Sequence, residues 1–157
     1  ISECLVGSEM CIRDSFIDVD DFKFINDRFG HSVGDEVIKY VAGCIKQRVK
    51  GSGFAGRFGG DEFVLCITDP KQIEEIESLS LDLIDELYEG YHSELANVSI
   101  NVKASIGIAF YPEHGDDSNK VVAAADEAMY FVKKNGKANY HIYQPEDSEM
   151  EDLQHTL

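Results

Sequence analysis

Residues 57–63 read Arg57-Phe58-Gly59-Gly60-Asp61-Glu62-Phe63, two glycines set against two acids with apolar residues on either side. Gly53, Phe54, Ala55 and Gly56 precede the stretch, and Phe63-Val64-Leu65-Cys66-Ile67 follows as a compact run rich in strand formers. The pattern predicts a β-hairpin whose tip carries Gly59, Gly60, Asp61 and Glu62, the glycines permitting positive φ and close approach of a ligand to bare backbone. Two adjacent carboxylates then sit on a rigid turn. Glycine and aspartate favour turns in any case, so a surface hairpin with solvated acids shows the same local pattern. A second acidic cluster separates the two readings.

That cluster is Phe16-Ile17-Asp18-Val19-Asp20-Asp21-Phe22-Lys23, continuing as Phe24-Ile25-Asn26-Asp27-Arg28-Phe29-Gly30-His31. Phe16, Ile17 and Val19 suit a buried strand, where Asp18 is costly without a charge partner. A divalent cation is the natural partner, since carboxylates and a backbone carbonyl are hard oxygen ligands that suit Mg²⁺ rather than zinc or copper. A strand placed beside the hairpin would bring Asp18, Asp61 and Glu62 to one point, an arrangement that holds Mg²⁺ against a nucleoside triphosphate. A Ca²⁺ loop of the EF-hand kind fails in detail. Its sixth and twelfth positions require Gly and Glu, and Lys23 and Phe29 stand there.

These segments resemble a known family. Asp18-Val19-Asp20-Asp21-Phe22-Lys23, Asn26-Asp27, Gly30-His31, Gly34-Asp35 and Gly59-Gly60-Asp61-Glu62-Phe63 look like the consecutive signatures of GGDEF domains, the diguanylate cyclases that make cyclic di-GMP from two GTP. Ser105-Ile106-Gly107-Ile108-Ala109, Ala125-Asp126-Glu127-Ala128-Met129-Tyr130 and the basic run Lys133, Lys134, Lys137 resemble the family's later motifs. The resemblance runs from about Phe16 to Tyr143. It implies Mg²⁺, with Mn²⁺ as an alternative, bound by Asp18, the Val19 carbonyl, Asp61 and Glu62. It implies GTP contacts from Phe22, Lys23, Asn26, His31, Asp35, Gly59, Gly60, Lys133 and Lys137, with Asp61, Glu62 and Lys23 as the catalytic set.

The chemistry of these residue types agrees. The Lys23 ammonium suits a triphosphate. An amide such as Asn26 can meet guanine O6 and N3, while the Asp35 carboxylate accepts from N1–H and the 2-amino group. His31 stays open between a nucleotide contact and a structural residue beside Gly30. Asp61 is the choice for assisting deprotonation of the 3′-hydroxyl, although Asp61 and Glu62 could exchange the base and ligand roles. Lys133 and Lys137 read as one helical turn apart, and Lys137 stands where the family usually has arginine, weakening a forked phosphate contact. Because one domain offers one GTP site and the product is two-fold symmetric, the resemblance implies a homodimer. A non-catalytic GTP- or effector-binding signalling domain is the alternative function.

Two departures from the family stand out. The Arg-x-x-Asp product-inhibition motif ahead of the hairpin is replaced by Lys50 and Gly53, so no inhibitory site is expected. The usual opening Leu-Thr-x-Leu-x-Asn-Arg segment is absent, and 1–15 reads as an atypical segment, truncated or foreign. A sensory or regulatory domain, usual in the family, is expected in the full-length protein but absent from this stretch.

Composition sets the frame. With 157 residues, 43% of them apolar, one domain and one core are expected. No apolar run approaches the roughly 20 residues that span a bilayer, and no signal peptide is visible. Cys4, Cys11, Cys44 and Cys66 lack metal-ligand spacing, which points to a reduced cytoplasmic setting. A net charge of −16 argues against nucleic acid as a partner. Local cations must therefore hold phosphates.

Periodicity predicts a helix over about 33–49 with Ser32 as N-cap, then the hairpin. A second helix follows over about 71–89 with Ile73, Ile76, Leu83, Ile84 and Leu87 inward. Residues 98–110 alternate and read as one long half-buried strand. A third helix covers 118–134, and Tyr140, Ile142 and Tyr143 suggest a closing strand. The predicted fold is α+β and palm-like, with a βαββαβ core and a central, mostly antiparallel sheet of about five strands flanked by helices. Its expected limits are 16–143, with an acidic, disordered tail over 144–157.

Overall fold

The computed structural model describes residues 12–68 and 73–146. Expectations for residues 1–11, for 71–72 at the start of the second predicted helix, and for 147–157 in the tail lie outside the described residues, as do Cys4 and Cys11. The elements are β1 (Ile12–Val19), α1 (Phe22–Phe29), α2 (His31–Val49), β2 (Gly53–Gly59), β3 (Glu62–Thr68), α3 (Ile73–Glu89), β4 (Tyr91–Ser93), β5 (Val98–Ile100), β6 (Ala104–Tyr111), α4 (Ser118–Lys134) and β7 (Tyr140–Ile142). Five strands form one sheet in the order β2-β3-β1-β6-β7, and β4 pairs with β5 separately. All pairings in the main sheet are antiparallel except β6 with β7, which α4 joins as a crossover. This is the α+β, mostly antiparallel sheet expected from the sequence. The strand β1 already takes in residues 12–15, which the sequence reading left to the N-terminal segment.

Alternation along the strands distributes the core over both sheet faces. Ile17 and Val19 of β1, Phe63, Leu65 and Ile67 of β3, and Ile106, Ile108 and Phe110 of β6 join Ile25, Val37, Val41, Ile45, Leu83 and Leu87 from α1, α2 and α3. Phe16, Val64 and Ala109 meet Val121, Ala124, Ala125 and Met129 of α4 on the other face. Each fully buried Ile, Leu or Val contributes roughly 1.5–3 kcal/mol. β1 is the middle strand, and α1 to α3 cover one face while α4 covers the other.

Several local expectations are corrected. The predicted long strand over 98–110 is broken at 101–103, so that only β6 belongs to the main sheet. Val98, Ile100, Val102, Ala104, Ile106, Ile108 and Phe110 do face the main core. The strand β6 is nevertheless buried on both faces rather than half-buried. Ser105, Gly107 and Ala109 are small because α4 lies against them. A Cβ on Gly107 would collide with the Ala125 carbonyl and the Met129 amide and lie 2.9 Å from Met129 Cα. Ile73, predicted inward, is 42% exposed at the first position of α3.

The sequence reading also missed a helix. Phe22, Ile25 and Phe29, at three- and four-residue spacing, form the inward side of α1, and Lys23 stands in its first turn. Helix α2 then starts at His31 with Gly30 as its N-cap, which displaces the predicted Ser32 cap. Gly30 adopts φ 90° and turns the chain within one residue. Its N–H donates to the Asn26 carbonyl at 2.8 Å, closing α1.

Gly107→Ala is expected to lower the unfolding free energy by about 1–3 kcal/mol through overpacking against the α4 backbone. Gly56→Ala, where a Cβ meets nothing within 4 Å, is the control and should change stability far less in the same urea titration.

Candidate functional site

The antiparallel register of β1 and β3 sets Asp18 opposite Glu62. Strand residues in register project to the same face, here the side of α4. The turn between β2 and β3 is Gly60-Asp61, with Gly60 at φ 50°. Arg57 fastens it by donating from Nε and Nη2 to the Gly60 carbonyl at 2.8 and 2.5 Å. The Val19 amide donates to the Asp61 carbonyl at 3.1 Å and ties the turn to the end of β1. Asp18 and Glu62 are thus neighbours, with Asp61 beside them on the tightened turn.

The charges respond to this crowding. Asp18 is 5% exposed, and burial, with the Asp61 and Glu62 charges added to it, pushes its carboxyl up to about 6. Lys133, at the end of α4, opposes that shift with its Nζ 2.7 Å from Asp18 Oδ1. Burial also pushes the Glu62 carboxyl up, helped by Asp126 and Asp61 and opposed by Lys133. Among the described residues no group of three or more His, Cys, Asp or Glu side chains converges tightly enough to hold a metal by itself. The expectation of three carboxylates meeting at one point is therefore modified: two face each other across a strand pair, and a lysine stands against one of them. The donors still fit a hard divalent cation. They are oxygens, they carry more negative charge than Lys133 offsets, and Asp18 is desolvated.

Behind this site, Asp20 is 4% exposed and accepts from Ser105 Oγ at 2.7 Å and from the Ala138 amide at 3.0 Å. It joins the end of β1, β6 and the segment after α4. Sequence reading missed this role, although Ser105 was visible as a small polar residue in an apolar strand. Helix α4 ends at Lys134, and Lys137 lies beyond it at φ 62°. The two lysines are therefore not one helical turn apart, because Asn135 and Gly136 stop the helix. Lys137 Nζ pairs with Asp21 Oδ1 at 2.6 Å. Lys133 and Lys137 both point to the acidic end of β1.

The base-reading candidates lie on α1 and α2. Asn26 and Phe22 are half-buried, and Lys23, His31 and Asp35 are exposed. Asp35 is the fifth residue of α2 and not a first-turn acid. Gly34 lets α1 approach: a Cβ there would overlap Asn26 Oδ1 and lie 3.2 Å from Phe22 Cζ. Asn26 is thereby held beside the turn of α2 that carries Asp35. At the far end of β2, a Cβ on Gly53 would run into the Cys66 carbonyl and lie 3.0 Å from Ile67 Cα. No aspartate fits at that position without moving β3.

Known proteins resemble this chain in sequence and in fold. The family model described as "Diguanylate cyclase, GGDEF domain" matches residues 11–139. The bifunctional diguanylate cyclase/cyclic di-GMP phosphodiesterase MucR of Pseudomonas aeruginosa is 34% identical over 142 residues, covering 87% of this chain and 20% of MucR. Diguanylate cyclase DosC of Escherichia coli is 34% identical over 128 residues, covering 81% of this chain and 27% of DosC. This chain therefore spans only a minor part of either relative. The solved GGDEF domain of TpbB, or YfiN, from Pseudomonas aeruginosa superimposes with a TM-score of 0.86 at 29% identity, covering 90% of this chain and 82% of that one.

Two outcomes follow from this geometry. Because the Asp18 carboxyl is raised on folding, its ionisation costs stability progressively from the ordinary carboxylate range up to about pH 6, and the cost is constant above that. With chelator present, urea titrations should find the protein more stable at pH 5 than at pH 7.5 by on the order of 1 kcal/mol from this group, and Asp18→Asn should flatten that slope. Gly34→Ala should displace the Asn26 side-chain amide, visible as shifted Asn26 amide resonances in NMR spectra, while costing under about 1 kcal/mol of stability.

Proposed function

The chain belongs to the GGDEF family, and from that premise we propose that it is a diguanylate cyclase domain condensing two GTP into cyclic di-GMP. The observation that carries this reading is Asp18 facing Glu62 across the strand pair, with Asp61 on the adjoining turn and Lys133 against Asp18. Such a cluster is costly to fold and has an evident use only if cations and phosphates complete it.

Asn26 and Asp35 orient the guanine, and Lys23 with the first turn of α1 receives the triphosphate. Asp18, the Val19 carbonyl and Glu62 would hold Mg²⁺ or Mn²⁺, which when bound neutralises phosphate charge. Asp61 accepts the proton of the 3′-hydroxyl, directly or through water, with Glu62 able to take that role instead. The 3′-oxygen forms a bond to the α-phosphorus of the second GTP while the bond to pyrophosphate breaks. Two such transfers close the ring and release two pyrophosphates. Lys133 and Lys137 leave their carboxylate partners to meet phosphate oxygens, which carry more charge and more acceptor sites. Lys137 makes a point contact where arginine would make a fork. Each domain presents one nucleotide, so two copies face each other during reaction. Among the described residues no helix is long and apolar enough to cross a membrane.

Incubation of the purified chain with GTP and Mg²⁺ should yield cyclic di-GMP and pyrophosphate by chromatography, with turnover reduced by about 10²-fold or more in Asp61→Ala and Glu62→Ala. GTP binding without product would leave the domain as a binding module and refute the cyclase reading.

A further inference from the structure

A cleft of about 940 Å³ runs between α2 and β2. Its walls carry Lys39, Lys46, Lys50 and Arg57 and no carboxylate, in a chain with 30 acids and 14 bases. The floor is apolar, formed by residues such as Ile38, Ile45 and Phe63. The cleft is a local concentration of positive charge on a strongly negative molecule, and it attracts an anionic partner over the screening distance of roughly 8 Å.

The strand beside it is open. The sheet ends at β2, and no strand pairs with its outer side among the described residues. Edge strands are usually blunted by lysine, proline, a bulge or a covering element. Here residues 54–59 are exposed, and the register irregularity lies only at the tip, between Arg57 and Gly59. Phe54 and Phe58 are 63% and 54% exposed. Phe54 pairs with Cys66 and Gly56 with Val64, whose side chain belongs to the cluster beneath α4. Phe58 stands 5.2 Å from Phe16 of that same cluster. By register the two phenylalanines lie on the α4 side of the strand and the lysines of α2 on the opposite side, with Phe54 also bordering the cleft.

We infer that the outer edge of β2 is a docking site for an extended acidic segment of a partner protein, added as a sixth strand. Backbone pairing to β2 supplies affinity, and alternation supplies specificity: carboxylates on one side meet Lys39, Lys46 and Lys50, and apolar side chains on the other cover Phe54 and Phe58. Charge selects this occupant over a second copy of the chain, since β2-to-β2 pairing would bring two lysine-rich walls together. A nucleic acid would meet the lysines but leave Phe58, outside the cleft, exposed. The proposal does not rest on the cyclase reading, because Lys46, Lys50 and Phe54, on which its test turns, lie outside that site.

The test is fluorescence anisotropy at low ionic strength, with the whole chain and a labelled decapeptide alternating glutamate with valine. Saturable binding is expected, weakened roughly tenfold or more by the Lys46→Glu, Lys50→Glu double substitution and by Phe54→Ser. Circular dichroism of both variants should match the parent, and amide exchange should slow at alternate residues of β2 when the peptide is bound. The proposal is overturned by an absence of saturable binding, by equal binding of a lysine–valine peptide, or by equally tight binding of oligothymidylate that Phe54→Ser leaves unchanged. Self-association that protects β2 without any peptide would also overturn it, as pairing between copies.

Discussion

The Asp18 carboxylate, buried at the end of the central strand with Glu62 opposite and the Lys133 ammonium 2.7 Å away, is the contact on which the rest of the site depends. A charge in that position disfavours folding unless something offsets it. Lys133 supplies part of the offset, and it can do so only because α4 lies across β1 and β6 and ends beside Asp18. That close approach in turn requires Ser105 and Gly107 on the facing strand. Asp20, bonded by Ser105 and the Ala138 amide, then fixes the segment carrying Lys137 against the end of β1. Two buried acids, Asp18 and Asp20, thus link sheet register, helix placement and the position of both lysines.

This arrangement trades stability for readiness. Asp18 stays above the ordinary carboxylate range because burial and two neighbouring acids outweigh the lysine. A cation and a polyanionic ligand arriving together would relieve both sides, the carboxylates gaining the cation and the lysines gaining phosphate. Binding energy of that kind is available because folding has not already used the pairs to full effect. The α1–α2 corner is built differently. Gly30 makes the turn and Gly34 permits close packing, so Asn26 is set by sterics and not by charge.

Much of this was legible in the chain. The two acidic clusters flank strand patterns, and pairing those strands sets Asp18 opposite Glu62. The α+β class, the five-strand sheet and the bounds of α4 were likewise readable from periodicity. The short helix α1 was obscured because its eight residues were read as a motif and not as a pattern, although Phe22, Ile25 and Phe29 carry the period. The interruption at 101–103 was hidden by alternation that continues across it. Burial of β6 on both faces was signalled by Ser105, Gly107 and Ala109, whose small size shows a close helix rather than solvent. The ion pairs of Lys133 and Lys137 were beyond sequence reading, since they depend on where a helix ends relative to Asp18 in β1 and to Asp21, 116 residues before Lys137. The open, cationic side of β2 was invisible for the same reason.

The central claim is that the acidic end of β1 is a cation and triphosphate site with Lys133 as its movable counter-ion. A crystal structure of the chain with Mg²⁺ and a GTP analogue blocked at the α-phosphate tests it most directly. The account predicts the ion between Asp18 and Glu62, the guanine between Asn26 and Asp35, and Lys133 turned from Asp18 to a phosphate oxygen. Nucleotide bound elsewhere, or at this site with Lys133 still paired to Asp18 and no ion between the carboxylates, would contradict it.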